Sequence, residues 1–215
     1  MIQGKYIYGR YSMRSEYLTA QINRQIIERD YISVYYPHVQ GLGNRDVENR
    51  INRRILNLVE ELINSQLEED AIVEITGSYL VRLNKKSLLS ICFEVYSYRE
   101  MAAHGLTVVK SLTFDLNSGR VYQLDDFFWP DSGYIQYISN QIKNQIIEED
   151  IPLIADFNSI DEDQDYYLSE RFLIIYFQLY EYTPYVYGIP QFHISLEELK
   201  PCFRNNSPLY RLTKS

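Results

Sequence analysis

The groups with which this 215-residue chain could do chemistry are few: three histidines, His38, His104 and His193, two cysteines, Cys92 and Cys202, and 29 acidic residues. No histidine stands four residues from another ligand type on a helical pattern, so the local spacing of a zinc site is missing. His104 lies in the turn Ala103-His104-Gly105, where a loop can hold an imidazole out toward a ligand; the same ring could instead bond backbone and shape the turn. Asp161-Glu162-Asp163-Gln164-Asp165 begins like a calcium loop. An EF-hand would need Gly where Tyr166 stands and Glu where Phe172 stands, so a solvated acidic loop is expected. Asp125-Asp126 and Glu197-Glu198 are adjacent carboxylates. Glycoside hydrolysis needs two carboxyl groups facing each other at roughly 5 to 9.5 Å. Neighbours in a chain tend to point apart, and these pairs suit the positive N-terminal ends of helices. The chain has no GxGxxG, GxxxxGK[ST], GxSxG or HExxH, which removes support for Walker-type nucleotide binding and α/β-hydrolase chemistry. No catalytic residue, metal ligand or cofactor is expected.

A binding surface is the better prospect. Tyr180, Tyr182, Tyr185 and Tyr187 form a string beside Pro184 and Gly188. Loops carry function, and tyrosine is an anchor that loses little side-chain entropy. With His104, these four are the candidate binding residues. The competing expectation is a corner whose tyrosines pack on the second helix. The chain holds 21 tyrosines against nine phenylalanines and one tryptophan, which suits either a tyrosine-rich sheet or an aromatic recognition surface.

The elements that must position these residues follow from periodicity. Glu16–Ile27 and Tyr31–Tyr36 read as strands, ended by Pro37 and Gly41-Leu42-Gly43. Asn44 can cap a helix from Arg45 to about Gln66, with Val47, Ile51, Ile55, Val59 and Ile63 as its apolar stripe. A three-strand antiparallel meander follows. Val73, Ile75, Tyr79, Val81 and Leu83 share one face of its first strand; Leu89, Ile91, Phe93 and Val95 share one face of the second, after a turn at 84–87. A second helix is expected from Tyr134 to about Glu149, capped by Asp131 or Ser132. Then come a hairpin of Tyr166–Leu168 with Phe172–Glu181, a strand Phe192–Ser195 and a helical turn Leu196–Leu199. The expected class is α+β, with antiparallel sheets each packed on one long helix and two intimately packed subdomains. The expected division is an arm at 1–14, a helix-on-meander unit at 15–128 and a helix-plus-hairpin unit at 129–215.

The stretch Ala103–Phe128 condenses this pattern. Leu106, Val108, Leu112, Phe114 and Leu116 share one strand face, broken by Lys110; Thr107, Ser111, Thr113 and Asp115 share the other. Asn117-Ser118-Gly119 makes a turn, and Leu124, Phe127 and Phe128 start a helical element that Pro130 stops. The AHG turn, the FDLNSG turn and the LDDFF segment resemble a bacterial family of domains of unknown function. That family includes the extracellular, lysozyme-sensing part of an anti-sigma factor and domains attached to peptidoglycan deacetylases. Further likeness lies upstream in YYPHVQGLGNRDVENRINRRI and downstream in YYLSERFLIIYFQLYEYTPYVYGIPQFHISLEEL, spanning roughly Tyr31 to Leu199. The resemblance implies a non-catalytic sensing module of the cell envelope.

Charge narrows the partners. The net charge is −8; residues 1–60 hold nine Lys/Arg against six Asp/Glu, and the rest hold twelve against 23. An acidic body repels nucleic acid and attracts a cationic protein. The lysozyme-type proteins implied by the resemblance are cationic; a peptidoglycan-type glycan is the other expected ligand. The opening MIQGKYIYGRYSM lacks the apolar run of a signal peptide, and no window matches a spanning helix. Family members usually lie outside the cytoplasm, so a trimmed chain, a cytoplasmic member and a tyrosine-rich spore-coat protein are the three options. Two free thiols are expected over a disulfide. The reading is a binding or sensing module of the envelope or spore; the alternatives are a carbohydrate hydrolase with fold-assembled carboxylates and a structural coat protein.

Overall fold

The computed structural model describes residues 17–67 and 73–213. The arm expected at 1–14 and the start of the first expected strand lie outside the described residues. Two strands open the fold, β1 (Gln21–Arg29) and β2 (Ile32–Gln40), followed by helix α1 (Arg45–Asn64). Strands β3 (Val73–Lys85), β4 (Leu88–Arg99) and β5 (Leu106–Asp115) form the antiparallel meander. The second part holds α2 (Tyr134–Glu148), β6 (Tyr166–Leu168), β7 (Phe172–Tyr176), β8 (Gln191–Ser195) and the single turn α3 (Leu196–Leu199). The strands make a five-stranded sheet in sequence order and a three-stranded sheet in sequence order. The class is α+β, as expected. Every neighbouring pair is antiparallel except β2–β3, which run parallel over Ile32–Val34.

Local chemistry accounts for the elements. The Asn44 side chain accepts the N–H groups of Asp46 and Val47 at 3.0 and 3.3 Å, which starts α1 where expected. The stripe of α1, broadened by Leu58 and Leu62, is buried on the inner face of the five-stranded sheet with Ile75, Leu89, Ile91, Phe93 and Phe114. Lys86 and Ser87 both have positive φ (54° and 61°), the signature of a tight two-residue hairpin turn. Pro37 does not end β2, contrary to expectation. Beyond Val34, β2 has no pairing with β3, so one side carries no strand and a residue without N–H is tolerated there. Neither Asp131 nor Ser132 caps α2; its cap position is Gly133, at φ 73° and without a side-chain bond. Strand β7 is shorter than expected, because the chain leaves the ladder after Tyr176.

The meander differs from simple alternation at one point. Val81 opposes Ile91 but Leu83 opposes Ser90, so Arg82 is an extra residue, a β-bulge. Its effect is to invert the faces. Leu83, expected to share the inner face with Val81, instead joins Leu88, Leu124, Phe127, Phe128 and the apolar residues of the second part in a separate core. The outer face of the sheet is therefore buried at one end. Polar side chains there bond the second sheet: Ser90 Oγ accepts from Leu168 N–H at 3.0 Å and meets Thr113 Oγ1 at 2.9 Å, and Ser111 meets the Tyr176 hydroxyl at 3.0 Å. The alternation of Ser and Thr along β4 and β5 thus marks a hydrogen-bonded interface. No helix among the described residues is long and apolar enough to cross a membrane.

Candidate functional site

At its other end the outer face stays open. There the sheet and the loop after β7 enclose a cleft of about 430 Å³. The floor is Leu80 and Arg82 of β3, Cys92 and Glu94 of β4 and Val109 of β5. Tyr167 and Tyr176 of the second sheet form one wall, and Tyr185, Val186 and Tyr187 the lip. Val186 is 90% exposed and Leu80 53%, so this is apolar surface left in water.

The five candidate residues separate into two groups. His104, Tyr180 and Tyr185 form one cluster: His104 Nε2 lies 2.9 Å from the Tyr180 hydroxyl, and its ring stacks on Tyr185 at 4.3 Å. His104 Nδ1 lies 3.1 Å from the Gly105 carbonyl. With Nδ1 donating to that carbonyl, Nε2 accepts from Tyr180, so the ring both shapes its own turn and holds the tyrosine loop. Gly105 belongs to the same construction. A Cβ there would come within 2.3 Å of the Tyr96 ring, so any larger residue would have to push that exposed ring aside. Tyr180 has φ 64°, a left-handed conformation a bulky residue seldom takes, where the chain turns back toward the cleft. Tyr185 and Tyr187 line the cleft itself. Tyr182 does not join them. Its ring packs edge-on to Phe157 and Phe177 beside the second core, and these two residues lie outside the second helix on which the corner alternative expected it to pack.

Most of the cleft lining was not anticipated in the sequence, Leu80, Arg82 and Cys92 of its floor among it. Simple alternation already puts Leu80, Arg82 and Cys92 on the outer face; what the sequence does not show is that the second sheet leaves this end of that face open. The Arg82 guanidinium lies over the Tyr167 ring at 4.8 Å and lines the cleft beside the Cys92 thiol. Burial pushes that thiol up to about 11 against the opposing pull of Arg82, so Cys92 is protonated at neutral pH and is no nucleophile. Cys92 and Cys202 are both free.

The adjacent carboxylates serve local structure. Asp126 accepts the Gln123 N–H at 2.9 Å and pairs with Arg120. Glu198 accepts the Tyr137 hydroxyl at 2.8 Å, and Glu197 pairs with Lys200 at 2.6 Å. In the acidic loop, Asp165 pairs with Lys110 at 2.7 Å. Among the described residues no group of three or more His, Cys, Asp or Glu could hold a metal ion.

This arrangement is that of an α+β domain with an open cleft, and comparison with known proteins shows what the chain is similar to. Residues 125–197 match the family described as Protein of unknown function (DUF3298), the family whose resemblance the motifs carry. The window includes the tyrosine loop. Over 184 residues, 78% of the chain, it is 29% identical to the anti-sigma-V factor RsiV of Bacillus subtilis (strain 168). The chain spans 63% of the length of that relative. Two solved structures share the fold. A DUF3298 family member from Bacteroides fragilis NCTC 9343 aligns over 93% of this chain and 100% of its own, with a TM-score of 0.70 and 15% identity. A DUF3298 family protein from Pseudomonas aeruginosa PAO1 covers 90% of this chain and 96% of its own, with a TM-score of 0.58 and 13% identity.

Proposed function

We propose that the protein is a non-catalytic sensing or binding module of the bacterial envelope or spore, and that the cleft under the tyrosine loop is its recognition surface. The observation that carries this is the cleft's lining: exposed aromatic and aliphatic side chains held by a rigid sheet. Tyr185 is fixed by His104 and Tyr187 is left 40% exposed. Rigid aromatic anchors bind with little ordering cost. The similarity to an anti-sigma factor supports a sensing role, and the resemblance points to lysozyme-type proteins or peptidoglycan as ligands. The net charge of −8 would speed encounter with a cationic protein. The division into an N-terminal unit to residue 128 and a C-terminal unit from 129 belongs to the same proposal, with Leu124, Phe127 and Phe128 of the first unit tying it to the second by packing in the second core.

The test is a pull-down at low salt with an animal-type lysozyme and with peptidoglycan, comparing the native chain with a Tyr185→Ala/Tyr187→Ala variant. Capture of either ligand that the double variant loses is the expected result. Capture of neither ligand, or equal capture by both chains, would overturn the reading.

A further inference from the structure

Arg82 sits in the cleft as a cation without an ion-pair partner among the described residues, although Glu94 lines the same floor. It is the bulge residue, without a partner across the ladder, and it lines the space between the two sheets on the face that carries Leu80 and Cys92. Tyr167 covers one face of its guanidinium, and the Cys92 thiol lines the cleft beside it. Its Nε is buried and has no hydrogen-bond partner. No carboxylate pairs with it among the described residues, although the acidic body offers many. A part-buried guanidinium without an anion is costly, and the cost is removed when a ligand supplies one. Arginine's planar fork of donors matches a carboxylate.

The rest of the cleft restricts what that carboxylate is attached to. Leu80 and Val186 offer aliphatic contact, and the tyrosines offer ring faces. Glu94 lies further along the floor, opposite Ser78 on β3, where it can accept from an amide or ammonium. A volume of about 430 Å³ falls in the range of small-ligand sites. We propose that the cleft binds a short peptide through its free carboxylate, with Arg82 as the anion anchor and Leu80 and Val186 as contacts for its aliphatic side chains. The inference rests on the cleft being the recognition surface and specifies what enters it.

Isothermal titration of the whole chain with N-acetyl-alanyl-alanine and with the same peptide as its C-terminal amide tests this without any mutation. The free acid is expected to bind at least about tenfold more tightly than the amide, the discrimination a charge-assisted hydrogen bond gives. Arg82→Gln should remove that discrimination. Tyr187→Ala should weaken acid and amide alike. Equal binding of acid and amide would overturn the anchor; if Tyr187→Ala still weakened both, the cleft would stand as a recognition surface without it. No binding of the acid would also overturn the anchor, and the lysozyme and peptidoglycan pull-down judges the wider reading separately. Tighter binding of N-acetylmuramic acid than of the peptide acid would overturn the peptide assignment.

Discussion

The side-chain amide of Gln178 bonds both backbone groups of Val109, accepting its N–H at 3.1 Å and donating to its carbonyl at 2.8 Å. β5 is the last strand of its sheet, so its outer edge has free ladder groups. One side chain imitates the next strand there and closes the edge beside the cleft. Gln178→Leu should leave both groups without a protein partner. The expected loss is about 1–3 kcal/mol, together with faster amide exchange at Val109. Unchanged exchange at Val109 in the variant would show that the clasp protects nothing.

Asp115 should set much of the acid sensitivity. Its carboxylate is buried and accepts the N–H groups of Asn117 and Ser118 at 3.0 and 2.9 Å, closing the Asn117-Ser118-Gly119 turn; Arg211 lies 3.3 Å away. Burial alone would raise its pKa, but the bonds from Ser118, the charge of Arg211 and the bond from Asn117 outweigh it and lower the value. A lowered folded pKa stabilises above the unfolded value, and that stability is lost as pH falls through the folded value. Asp115→Asn should therefore be less stable than the native chain at neutral pH. The gap should close between about pH 4 and strongly acidic solution. Urea melts at a series of pH values measure it; a gap independent of pH would refute the assignment.

Neighbouring tyrosines should behave in opposite ways. Tyr182→Ala removes a ring wedged against Phe157 and Phe177 and should cost about 2–4 kcal/mol. Tyr187→Ala removes an exposed lip residue and should change stability by no more than about 0.5 kcal/mol. Thermal melts of the two variants suffice. Similar losses for both would mean that the loop is one packed unit with no free surface.

Much of the architecture was legible because it rests on short-range periodicity. Asn44, the α1 stripe and the apolar faces of β4 and β5 each point to one partner, and each was found there. The class and the resemblance followed from them. What could not be read was which polar stripe would be covered. Ser90, Ser111 and Thr113 look like a solvent face in sequence, yet Ser90 and Thr113 are buried and Ser111 half-buried against a sheet formed some 50 residues or more downstream. Hydrogen bonding across that distance leaves no local mark. The site was half visible for the same reason. Tyr185 and Tyr187 stand out as loop aromatics, whereas Arg82 reads as one more polar residue on the outer face of its strand, and only the distant second sheet makes that face a cleft. Tyr182, in the same string, looks identical in sequence and is separated from the others only by what packs around it.

The bulge has one more effect. By shifting the phase of β3, it makes the tip of the β3–β4 hairpin a rivet: Leu83 and Leu88 are driven into the interior of the C-terminal half, while Ile75 and Ile91 of the same two strands stay in that of the N-terminal half. Neither half can melt without stripping apolar cover from the other. The chain should accordingly unfold in one cooperative step, a single calorimetric endotherm; two resolved endotherms would show that the rivet does not hold. A ligand gripping the cleft, whose two sides come from the two halves, would tighten both at once.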